Sequence, residues 1–124
     1  MSRSALRTSI IVLGLITAIV HLVLLNLGYI MQTGRPDILF TLNGLGYLGL
    51  LGAFIINPGF LAGQRRLLHY AFIAYTAITI LAFLAMGDTG LGGKPFNPVG
   101  WVTKIDEVLL ILALWRNNSL ETAA

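Results

Sequence analysis

The sequence predicts an all-α integral membrane protein: four antiparallel transmembrane helices in an up-down-up-down bundle, both termini cytoplasmic. Three observations predict it. Hydrophobic residues make up 56% of the chain and charged residues 10%, against about 25% charged in a typical soluble domain. A soluble chain so short would lack the polar surface to cover itself, and a mean hydropathy of +0.84 agrees. The apolar residues also fall into four runs, at about residues 10–31, 38–56, 67–86 and 98–115, each near the ~20 residues that cross about 30 Å of hydrocarbon. Backbone groups in lipid must bond within their own segment, which leaves helices for runs of this length. The 124 residues form one domain.

Residues 1–9 are polar and carry Arg3 and Arg7. A cleaved signal peptide begins the same way, but its apolar core is about 7–15 residues and ends at a small-residue cleavage site. The first run is longer and holds no Ala-x-Ala site, so it reads as a retained span. Gly34 and Pro36 break that helix, and Asp37 can cap the next. Asn57, Pro58 and Gly59 stop the second run, and a loop through Arg65 and Arg66 leads into the third. The third loop, residues 87–97, is glycine-rich and therefore either mobile or tightly turned. Asn97 followed by Pro98 starts the fourth helix, with Asn at the cap and Pro in the first turn. The tail beyond Trp115 is short and polar.

Charge sets the orientation. With four spans, Arg3, Arg7, Arg65, Arg66 and Arg116 share one side, and Arg35 and Lys94 the other, so the first side is cytoplasmic and the membrane is the cell membrane. The aromatic residues agree: Tyr29 and Trp101 fall at outer span ends, Tyr70 and Trp115 at inner ones.

The fourth run carries Lys104, Asp106 and Glu107 within its length. An ionised carboxylate in mid-bilayer costs about 2.5–3.5 kcal/mol or more, so these groups need partners. Counting ~1.5 Å per residue puts both acids about 12–13 Å below the outer end of their span. His21 lies at a similar depth on the first span, with Asn43, Asn26, Thr76 and Thr79 near it. The polar interior therefore belongs to the outer half. Lys104 and Glu107, three residues apart, share a helix face, whereas Asp106 points about 100° away and must meet a neighbouring helix. The expected ligand or proton site is His21, Lys104, Asp106 and Glu107, supported by Asn43 and Asn26. The hydroxyls of Tyr47 and Tyr75 are expected to close it.

Other features are quieter than they look. Gly44, Gly46 and Gly49 fit Gly-x-Gly-x-x-Gly, but that fingerprint needs a strand-to-helix turn, and here it lies inside an apolar run. Gly46, Gly49 and Gly52 instead keep one helix face small for close packing. His21 and His69 differ in height by roughly 15 Å, too far to grip one haem. His69, beside Arg65, Arg66 and Tyr70, reads as an interfacial residue against lipid headgroups. Lys104 already balances an acid, so no metal site is predicted. The chain has no cysteine, which excludes disulfides, thiolate metal sites and Cys-linked haem. No serine stands near a histidine within a span, so nucleophilic hydrolysis has no basis.

No cofactor is predicted. The functional reading is a small, non-enzymatic accessory or structural membrane subunit. Its partners are the lipid bilayer and other membrane subunits or a second copy of the chain. The formal charge of +3 forms no continuous patch, so nucleic acid is not a partner. Two alternatives stand beside this: a proton- or ion-coupled transport or small-ligand-binding bundle using Glu107, Asp106 and His21, and a redox subunit binding quinone, haem or pigment at His21.

Overall fold

The computed structural model describes residues 2–123, with side chains as far as Glu121. Helix α1 (Arg3–Thr33) starts at Ser2, whose side chain accepts from the Ala5 amide at 3.1 Å. Its middle, Val20–Leu25, widens into a π-helical turn. Such bulges insert a residue into the ladder and turn the following face. The helix stops at Gly34, which takes the left-handed conformation (φ 80°) that a side chain resists. Helix α2 (Ile38–Ile56) begins under the Asp37 carboxylate, which accepts from the Phe40 amide at 2.9 Å. It ends at Asn57, also left-handed (φ 50°). A 3-10 segment, Gly59–Gln64, leads into α3 (Arg65–Met86).

The third loop is tightly turned. Thr89 and Phe96 form an isolated antiparallel bridge. The Gly90 amide donates to the Pro95 carbonyl at 2.8 Å, and the Asn97 amide to the Asp88 carbonyl at 2.9 Å. The Trp101 indole donates to the Thr89 carbonyl at 3.2 Å, fastening the loop to the last helix. Helix α4 (Pro98–Ala123) follows, with the Asn97 side chain accepting from the Val99 amide at 3.0 Å. The polar tail expected beyond Trp115 is therefore helical. Asn117 and Asn118 are buried there, so this last stretch belongs to the packed structure.

The protein is all-helical among its described residues. Three helices are long and apolar enough to cross a membrane: α1, α2 and Gly59–Met86. Helix α4 has the length, but Lys104, Asp106 and Glu107 keep it out of that class. Helix α1 packs against α2 and α4, and α3 against α4 and α2. Ile10, Tyr47, Leu51, Phe54, Phe72 and Leu110 fill the centre. The outer surface is also apolar, for example Ile19 and Val23 on α1, Leu42 on α2 and Ile78 on α3. Helix α4 repeats the pattern: Val102, Ile105, Leu109 and Leu112 are exposed, while Thr103, Lys104, Asp106 and Glu107 are buried.

Two glycines on α2 allow close approach. A Cβ on Gly44 would lie 2.4 Å from Leu22, and one on Gly46 would lie 2.0 Å from the Tyr75 hydroxyl. Gly49 and Gly52 face open space. The expected stripe of Gly46, Gly49 and Gly52 therefore contracts to Gly46, joined by Gly44, because the three-residue spacing drifts off the contact face of a 3.6-residue helix.

Candidate functional site

Glu107 is 0% exposed and sits where three helices meet. On its own helix, Lys104 lies one turn earlier and forms an ion pair with Oε1. From α1, the Thr17 hydroxyl donates to Oε2 at 2.9 Å. From α2, the Tyr47 hydroxyl donates to the same oxygen at 2.7 Å. A buried carboxylate left without such donors would be strongly unfavourable, so these contacts hold α1, α2 and α4 in one register. Helix α3 joins through Phe83, whose ring lies 5.4 Å from the Lys104 ammonium.

His21 stands in the π-helical turn. Its Nδ1–H donates to the Thr17 carbonyl at 2.8 Å, because a carbonyl can only accept. The same nitrogen lies 3.3 Å from the Thr17 hydroxyl. Thr17 therefore links His21 to Glu107. A neutral ring with its proton on Nδ1 leaves Nε2 as an acceptor.

A second pair of helices meets beside this cluster. The Asn43 amide on α2 donates to the Thr79 hydroxyl on α3 at 2.8 Å. The Tyr75 hydroxyl donates to the Asn43 carbonyl at 2.7 Å. The rings of Tyr47 and Tyr75 meet edge to face at 4.9 Å. Among the described residues, the buried Asn43 side-chain oxygen has no hydrogen-bond partner. A cavity of about 280 Å³ runs from Asp37, Asp88 and Asn97 in the loops down to His21, Asn43 and Lys104.

The structure brings His21, Lys104, Glu107 and Asn43 into one neighbourhood. Asn26 lies elsewhere: its amide donates to the Thr41 hydroxyl at 3.0 Å and its oxygen accepts from the Asp37 amide at 2.9 Å. It fastens α1 to the start of α2. Height along a helix does not fix direction, and Asn26 follows the bulge that turns the helix face. Asp106 is buried, and among the described residues its Oδ2 has no hydrogen-bonding partner and no hydrogen bond joins it to His21. The sequence reading missed Thr17, although its position one turn before His21 was the available signal.

His69 is also not where its neighbours suggested. It is 0% exposed rather than interfacial, and it anchors a second cluster at the end that carries both termini. Its Nδ1–H donates to the Arg65 carbonyl at 2.7 Å. Its Nε2 lies 2.9 Å from the Asn117 amide and 3.2 Å from Glu121. Arg65 donates to the Phe54 carbonyl at 3.0 Å and pairs with Glu121 at 3.3 Å. The last turns of α4 supply Asn117 and Glu121, which explains why that polar stretch is helical. Among the described residues, no three His, Asp or Glu side chains converge as a metal site would require.

Residues 2–116 match the model of DUF7475, a family of unknown function, and the chain belongs to that family. Neither a curated protein nor a solved structure matches it.

Proposed function

We propose that this DUF7475 member is a multi-pass membrane protein, a four-helix up-down-up-down bundle with both termini cytoplasmic, that binds a small polar ligand within its outer half. It acts as an accessory to other membrane subunits rather than as an enzyme. The bilayer placement is supported by the inside-out surface of α4, with Ile105, Leu109 and Leu112 outward and Lys104, Asp106 and Glu107 inward. An ionisable group so placed is a functional candidate in a membrane. The up-down course is supported by the two cavities. One is lined by the first and third loops, the other by the N-terminal turn, Phe54 near the end of α2, and the last turns of α4.

The observation that carries the binding role is the cavity ending on His21, Asn43 and Lys104. Its wall brings together the Lys104, His21 and Asn43 side chains. A few polar side chains gathered on one cavity wall are what a small-ligand site uses to fix orientation.

A second reading keeps the cluster as a fastener alone. It is favoured by one fact: the ion pair and both hydroxyl donors of Glu107 come from within the chain. Mass spectrometry of small molecules extracted from protein purified out of native membranes separates the two. The binding role predicts a compound enriched with the wild type and lost from Asn43→Leu, which lines the cavity without touching Glu107. Identical extracts from both, with the same co-purifying chains, would leave only the fastener.

A further inference from the structure

The terminal end holds a second cavity, of about 240 Å³, lined by Arg3, Ser4, Arg7, Phe54, Asn117 and Glu121. We propose that it is a binding site for the phosphate of an anionic lipid headgroup.

The argument begins with charge. Arg7 and Arg65 both lie against the Phe54 ring, at 5.4 and 4.9 Å from its centre. The carboxylate that also lines the cavity, Glu121, is paired with Arg65 at 3.3 Å. Among the described residues, Arg3 and Arg7 have no acidic partner. Arg7 directs one nitrogen to the Ile55 carbonyl at 3.2 Å, which fixes the guanidinium and leaves further donors free. Two cations thus border a cavity whose floor is an aromatic ring and a buried amide. Guanidinium groups suit phosphate oxygens because they can present paired donors. The Ser4 hydroxyl adds a neutral donor at the rim.

The location selects a lipid over a soluble phosphate. Tyr70 and Trp115 pack together at this end, their ring centres 6.3 Å apart, as aromatic residues do at headgroup depth. The cytoplasmic leaflet is the anionic one. Arg66 is the natural control: it lies over the Tyr70 ring at 5.7 Å and does not line the cavity.

The lipid identity rests on the bilayer placement proposed above. Resistance to alkaline carbonate extraction reports that placement and lipid retention reports this site, so the two fail separately. Native mass spectrometry of the full chain in neutral detergent, with phosphatidylglycerol or phosphatidylcholine added, tests the site. Phosphatidylglycerol is expected to be retained preferentially. Its affinity is expected to fall about fivefold for each arginine removed in Arg3→Gln and Arg7→Gln, and to hold in Arg66→Gln. Equal retention of the two lipids, or equal loss in Arg66→Gln, would overturn the proposal. Stabilisation by inorganic phosphate without lipid retention would overturn the lipid assignment in favour of a soluble anion.

Discussion

The two ends of this molecule solve the same problem in opposite ways. At the loop end, Glu107 is sealed, with an ion pair and two hydroxyl donors gathered from three helices. At the terminal end, Glu121 is 21% exposed at its side chain and meets Arg65 and His69 near the surface. One acid is surrounded until its charge is balanced, and the other sits where arginines outnumber it. The difference teaches that depth, rather than the number of charges, decides which ion pair organises the fold. A deep charge must be matched from within the protein, whereas a shallow one can be matched by water or headgroups.

Breaking each pair sharpens that contrast. Lys104→Met leaves Glu107 buried without its cation and is expected to cost about 3–5 kcal/mol, read as a lower SDS or thermal midpoint in detergent. Lys104→Met with Glu107→Leu should recover much of the loss, because neither member of the pair is then left buried alone. Tyr47→Phe removes one donor to the carboxylate and should cost about 1.5–3 kcal/mol by the same measurement. Gly46→Ala forces a methyl against the Tyr75 hydroxyl and should cost about 1–3 kcal/mol. Gly49→Ala, with open space around it, should stay within about 0.5 kcal/mol of wild type. Glu121→Gln should be the mildest at the terminal end, about 0–1 kcal/mol. If Glu121→Gln proved as damaging as Lys104→Met, the contrast drawn from depth would be lost.

The helical course was legible in the sequence because long apolar runs and their end signals leave strong marks. The breaks at Gly34 and Asn57, the Asp37 cap and the Asn97–Pro98 start all follow from local chemistry. The pairing of Lys104 with Glu107 followed from spacing on one helix. What escaped was direction around the helix axis. Asn26 has a depth near that of the cluster but points to Thr41 and Asp37. The widened turn at Val20–Leu25 changes the face presented beyond it, and Val, His and Leu residues do not announce such a bulge. The helical course beyond Trp115 escaped for another reason. Its polar residues are held by Arg65 and His69 of a distant segment, a tertiary effect that local composition does not carry. Thr17 was a quiet residue in an apolar run until the structure put it between His21 and Glu107.

The central claim is that α4 crosses the bilayer with its acids turned inward. The chain has no cysteine, so single cysteines can be introduced at Leu91 in the third loop, Ser119 near the end of α4 and Ile105 on its exposed face. Labelling with a membrane-impermeant maleimide in intact cells tests the claim most directly. The account predicts that Leu91→Cys reacts at once, Ser119→Cys reacts only after lysis, and Ile105→Cys stays unreactive in lipid. Reaction of Leu91→Cys and Ser119→Cys from the same side, or ready labelling of Ile105→Cys, would contradict it.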